Sequence, residues 1–132
     1  MRVLTLKQPW ATLVAEGIKK IEFRTWKTNY RGKVLIHAGA GIDKEDMKKF
    51  EKLNLEYPSE RIIAEVEIVD CLELNEELNN KIISEKNIAY GDKKRTGYAW
   101  KLDNIKKIDS NITIKGKLGL WNIDEKILEG EK

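Results

Sequence analysis

The stretch RIIAEVEIVDCLEL, residues 61 to 74, alternates with a period of two: Ile62, Ala64, Val66 and Ile68 fall on one side, Glu65 and Glu67 on the other. Such alternation marks a strand with one dry and one wet face. A strand this long needs neighbours, and the chain supplies them. RVLTL (2–6), VLIHA (34–38), YAWKL (98–102) and IKGKLGLWNI (114–123) all read as strands, VLIHA being apolar on both faces. KIEFRTW (20–26) alternates too, with Ile21 and Phe23 on one face and Glu22 and Arg24 on the other.

Three short helical segments interrupt these strands. PWATLVAEG (9–17) places Pro9 at a helix start and Gly17 at its end. Asp43 is a helix cap before Met47, Phe50 and Leu53, which recur every third residue, and Leu74 to Ile83 forms a third helix. NYRGK reads as a turn and YGDKKRTG as a polar connection. Five to six short strands with two to three helices predict an α+β domain built on a small, mostly antiparallel or mixed barrel. A chain of 132 residues can bury one core without a disulfide or metal. With no repeat or linker in view, residues 1–126 read as one domain and 127–132 as a frayed tail.

One cysteine, Cys71, and one histidine, His37, leave no internal disulfide and no structural zinc site, so neither a metal nor a cofactor is expected. MRVLTLKQPW lacks a signal-like apolar run, and no segment approaches the ~20 apolar residues that cross a bilayer. The expectation is a cytoplasmic protein with no membrane association. Net charge is +3, but residues 1–33 hold eight Lys or Arg against two acids, residues 43–77 five against twelve, and residues 91–117 eight against three. Two basic windows bracket an acidic one. Brought together by the fold, the basic windows make a face suited to a phosphate backbone; left apart, they simply solubilise the domain.

The spacing G-x-K-x-x-E-x-R, met by Gly17, Lys19, Glu22 and Arg24, sets a cation behind a helix end and a carboxylate with a second cation on one strand face. On spacing alone it is either a polar constellation or a surface ion pair worth at most ~1 kcal/mol. For Lys19 to act as a base its pKa must fall from about 10.4, which burial or Arg24 favours and Glu22 opposes. His37 is a candidate proton carrier or a satisfied core histidine. Trp10, Trp26, Tyr30, Tyr98 and Trp100 stand near the charges, where flat rings suit base stacking as well as a plain core. Trp26 and Tyr30, beside turn residues, are the aromatics least suited to the core.

LKQPWATLVAEGIKKIEFRTWKTNYRGKVLIHAG closely resembles the start of ASCH domains, and RIIAEVEIVDC, GYAWKLDNIKKI and IKGKLGLWNI resemble the family's later strands in order. The likeness covers nearly the whole chain. It implies a PUA-like β-barrel with helices around a cleft that takes RNA, other nucleic acid or a modified nucleoside. It puts Lys19, Glu22 and Arg24 in that cleft, with Trp10, Tyr30 and Arg31 as neighbours. Trp26 and His37 complete the expected ligand-binding set. A branch of ASCH-like proteins hydrolyses the amide of N4-acetylcytidine with a lysine at the position of Lys19, but with threonine where this chain has Glu22. A hydroxyl and a carboxylate differ as proton donors and in their pull on the lysine. A binding module is therefore the first expectation, because it accounts for charge, aromatics and motif together. The alternative is a small hydrolase with Lys19 as base or nucleophile activator, Glu22 as proton shuttle and Arg24 stabilising an anion. Cleavage of RNA would draw on Lys19, Tyr30, Arg31 and His37 if they converge. A third expectation is a protein-interaction domain using the acidic helix at Asp43 to Leu53.

Overall fold

The computed structural model describes residues 1–129. Six strands, β1 (Arg2–Gln8), β2 (Ile21–Arg24), β3 (Gly32–Ile42), β4 (Arg61–Glu73), β5 (Tyr98–Lys107) and β6 (Leu120–Asn122), form one mixed sheet in the order β2-β5-β4-β3-β1-β6. The helices are α1 (Trp10–Ala15), α2 (Lys44–Lys49), α3 (Glu76–Ser84) and α4 (Lys126–Glu129), with a 3-10 turn at Glu51–Leu53. The fold class is α+β, consistent with a small PUA-like domain.

The alternating strand is the spine. β4 pairs antiparallel with β3, from Gly32 opposite Ile68 to Ala38 opposite Arg61, and with β5 on its other edge, from Ala64 opposite Lys107 to Glu73 opposite Tyr98. Its Ile62, Ala64, Val66 and Ile68 are buried as the period-two pattern requires. β1 lies parallel to β3, a pairing that needs a crossover, and α1 with β2 supplies it.

Helix α1 is only six residues long, too short to be stable alone, and burial of Ala11 through Ala15 against the sheet holds it. Pro9 stands just before the helix and has no side chain with which to cap it. Gln8 does so instead: its buried Oε1 accepts from Thr12 N at 3.0 Å, while Nε2 donates to Thr12 Oγ1 and Pro58 O. At the other end Gly17 turns the chain, and the amides of Ile18 and Lys19 both return to Leu13 O at 3.0 Å. That double return aims Lys19 back under the helix.

The sheet does not close into a hydrogen-bonded barrel among the described residues, since β2 and β6 remain its edges. It curls nonetheless. Arg24 on β2 donates from Nη2 to Thr5 O on β1 at 3.0 Å, although β5, β4 and β3 lie between those strands in the sheet. One guanidinium spans the open side where a barrel would have a further backbone ladder.

Several elements differ from their sequence expectations. VLIHA lies within a longer strand that runs to Ile42, and YAWKL within one that runs to Lys107. Asp43 caps α2 by accepting from Asp46 N at 3.2 Å, but of the three apolar residues only Phe50 is buried. Of the strand expected at 114–123, only Leu120–Asn122 is extended in the sheet; Ile114 is instead tied out of register to Glu60 O. Of the expected tail, residues 127–129 belong to α4 and Leu128 packs toward Val3 and Trp121, while residues 130–132 lie outside the described residues. No helix among the described residues is long and apolar enough to cross a membrane.

Candidate functional site

The curl that Arg24 spans encloses a cavity of about 800 Å³. β1 contributes Thr5, Leu6 and Lys7; Trp10 stands at the head of α1; β2 contributes Glu22, Phe23 and Arg24; Gly39 to Gly41 of β3 face them. Arg95, from the connection after α3, and Lys115 to Gly119, from the connection before β6, complete the wall.

Its floor is a chain of three charges. Lys19 Nζ lies 3.0 Å from Glu22 Oε1, and Arg24 Nε lies 3.0 Å from Glu22 Oε2. Lys19 Nζ also donates to Ile21 O. Lys19 is 3% exposed and Glu22 9%, so the surface-pair reading of this motif does not hold. Burial pushes the Lys19 amine below its usual range; Glu22 pulls it back up, and the nearby positive charges of Arg95 and Arg24 push it further down. With two acceptors already engaged, the Lys19 ammonium is a fixed donor set into the cavity wall.

Phe23 organises a second group. The Arg95 guanidinium carbon stands 4.0 Å from the centre of its ring and Lys19 Nζ 5.4 Å. Arg95 is further held by donation from Nη2 to Tyr90 O at 2.8 Å, and Asn79 clamps its backbone, accepting from Arg95 N at 2.7 Å and donating to Arg95 O at 2.8 Å. A guanidinium stacked this way is pre-oriented, so little further ordering is lost when it meets an anion. Partial burial also lowers its pKa, though arginine stays charged.

Of the eight residues expected at the site, Trp10, Lys19, Glu22 and Arg24 line the cavity, whereas Trp26, Tyr30, Arg31 and His37 do not. Tyr30 and Arg31 precede the Gly32 end of β3, while the cavity sits at Gly39 to Gly41, seven residues of extended chain or roughly 23 Å along it. There the Tyr30 hydroxyl donates to Lys33 O at 2.6 Å, Arg2 stacks over its ring, and Arg31 bonds Thr28 O and approaches Asp70. Trp26 packs edge-on against buried Trp100, whose Nε1 donates to Trp26 O. His37 has no exposed surface. Its Nε2 contacts Ile114 O at 2.5 Å, which requires a proton on that nitrogen, and its Nδ1 then accepts from Thr5 Oγ1 at 3.1 Å. Trp121 Nε1 donates in turn to Thr5 Oγ1. Both ring nitrogens are engaged, and burial lowers the pKa of His37, as for a core histidine in its neutral form.

The cavity also holds Lys7, Phe23, Glu60, Arg95, Lys115 and Lys117, none of which the motif names. The signal for most of them was charge: Lys7 lies in the first basic window and Arg95, Lys115 and Lys117 in the second. The fold does bring the two windows to one place. No group of three or more His, Cys, Asp or Glu among the described residues is placed to hold a metal ion.

The family model of the ASCH domain matches residues 4–111. The chain is 26% identical over 141 residues to activating signal cointegrator 1 of Mus musculus and 27% identical over 143 residues to the Homo sapiens protein of the same name. Each alignment covers 98% of this chain and 23% of the relative, so the chain spans about a quarter of the length of these proteins.

Proposed function

The chain belongs to the ASCH domain family, and from that membership together with the cavity we propose that it binds single-stranded RNA, one base entering the cavity while neighbouring phosphates meet the rim. The observation that carries this reading is the charge of the walls: Lys7, Lys19, Arg24, Arg95, Lys115 and Lys117 stand against Glu22 and Glu60 alone. Glu22 is already shared by Lys19 and Arg24, so the remaining cations dominate the field that an approaching anion meets.

Shape supports the same reading. A volume of about 800 Å³ falls within the usual range for small-ligand sites and exceeds what one base fills. Trp10 lines the interior, and an aromatic ring holds a base by stacking whatever its sequence, while the Phe23 ring is already covered by Arg95. A base reaches such a concavity only when it is out of a duplex, hence the preference for a single strand.

Fluorescence anisotropy of a labelled single-stranded RNA, titrated across a salt series, tests the proposal. Affinity should fall steeply with salt, the duplex should bind more weakly, and Lys7→Ala should lower the magnitude of the logarithmic salt slope by about one. Absence of binding, or binding indifferent to salt, overturns it.

A second reading rests on one observation, the buried Lys19 amine held 3.0 Å from Glu22 with its pKa lowered by burial. A lysine so placed supports hydrolysis of a modified nucleoside if it sheds its proton to serve as base. Mass-spectrometric turnover of acylated nucleosides that vanishes in a folded Lys19→Ala variant is the expected result on that reading. Turnover retained in that variant removes Lys19 from the chemistry.

A further inference from the structure

The segment between β5 and β6 runs beside the cavity and is fastened on both flanks. Upstream, Ile114 N donates to Glu60 O at 2.8 Å and Ile114 O accepts from His37 Nε2. Gly116 follows at such close approach that a Cβ there would stand 3.0 Å from His37 Cε1 and from Thr5 Cγ2 and Oγ1. Only a residue without a side chain lies flat on that pair. Downstream, Leu120 enters β6 opposite Leu4 of β1. Between the fastenings the tip is Lys117, Leu118 and Gly119. Lys117 Nζ turns back to stand 5.8 Å from the Trp121 ring. Leu118, in the cavity wall, is 98% exposed.

A scattered exposed leucine on a protein surface needs no explanation. This one differs in its placement: it projects at the rim of a cationic cavity, from a short tip between two fastened flanks, beside a lysine whose Nζ stands near an aromatic ring. The tip thus sets an apolar group beside one of the wall's cations. We infer that Leu118 is a ligand-contacting residue, an apolar cap that lies against the face of the base held in the cavity. The inference rests on the RNA-binding reading and adds to it a residue outside the family motif. An unstacked base exposes two apolar faces; the wall with Trp10 suits one, and Leu118 covers the other. Capping withdraws both the leucine and the base from water, so it favours the complex without contacting a phosphate.

The test compares wild type, Leu118→Ser and Leu118→Met in the full chain by anisotropy with one labelled single-stranded RNA across a salt series. Because the side chain is almost wholly in water in the free protein, both variants should melt with wild type. Leu118→Ser should weaken binding about tenfold, the loss expected when part of a leucine no longer leaves water. Its salt slope should match wild type, since no phosphate contact is removed, and Leu118→Met should restore most of the affinity. Wild-type binding with Leu118→Ser equally tight overturns the capping role and leaves the RNA reading standing. A reduced salt slope in Leu118→Ser also overturns it, since the loop would then be acting through its lysines. No RNA binding by wild type overturns both.

Discussion

Arg24 Nη2 lies 3.0 Å from Thr5 O, joining β2 to β1 across the open side of a sheet in which three strands separate them. The same guanidinium gives its Nε to Glu22 Oε2, so one planar fork serves both the closure of the fold and the floor of the cavity. Lysine carries the charge without the fork. Arg24→Lys should therefore lose one of the two bonds, about 1–2 kcal/mol of stability in urea denaturation, and should bind RNA more weakly. A variant as stable as wild type would show that the bridge contributes nothing to closure.

Removing the charge of Glu22 strands its partner. In Glu22→Gln the buried Lys19 ammonium keeps the Ile21 carbonyl but loses its counter-charge, and breaking a buried pair from one side costs about 3–5 kcal/mol. Lysine has an escape, because it sheds its proton. With the folded-state pKa lowered beneath the unfolded value, the unfolded chain binds more protons between the two, so stability rises with pH in that interval. Glu22→Gln should thus lose less relative to wild type at about pH 9 than at about pH 7. Denaturation curves showing an equal loss at both would mean that Lys19 stays charged in the variant.

His37 gives a second pH signature on the acid side. Burial lowers its pKa, partly opposed by the Ile114 carbonyl and by Glu60, so the unfolded chain takes up a proton first as pH falls. Stability should hold above about pH 7 and decline below about 6.5, with a slope of at most ~1.4 kcal/mol per pH unit from this group. As the chain's single histidine, it is the only side chain whose ordinary pKa lies in that window. His37→Gln should be less stable at neutral pH and flatter between about pH 6.5 and 5. An unchanged slope in the variant would assign the acid sensitivity to the carboxylates.

These relationships mark what local spacing reveals and what it hides. The period-two run from Ile62 to Ile68 and the helix end that places Lys19 are local, and both were legible. So was the Lys19, Glu22 and Arg24 set, because two of the three share one face of a four-residue strand. Tyr30 and Arg31 are close to the motif in sequence but far from it in space, since β3 carries the chain away from them before it reaches the cavity. Arg95 comes from a connection whose path depends on Asn79, a clamp that no periodicity encodes. IKGKLGLWNI has the alternation of a strand, yet the contacts of Ile114 with Glu60 and His37 and the seat of Gly116 on Thr5 and His37 keep its first half out of the ladder with β1. Buried tertiary contacts overrode a pattern that was locally sound.

Gly97 ties the loop that delivers Arg95 to the strand that carries Arg24. It has φ +95°, its carbonyl accepts from Leu74 N at 2.8 Å, and a Cβ there would stand 2.5 Å from Arg24 O and 3.2 Å from Thr25 Cα. Two penalties should combine in Gly97→Ala: the left-handed backbone, about 1–2 kcal/mol for a residue with a Cβ, and displacement of backbone that cannot rotate aside as a side chain would. Gly91 separates them, because it has φ +68° but a Cβ there would meet nothing within 4 Å. Gly91→Ala should lose only the conformational part and bind RNA as wild type does. Gly97→Ala should lose more stability and, at temperatures where it remains folded, bind more weakly, because moving Arg24 O moves the strand whose side chain spans the cavity. Equal losses of stability in the two variants, with equal affinities, would show that β2 yields freely at this point and that the approach of Gly97 does not position Arg24.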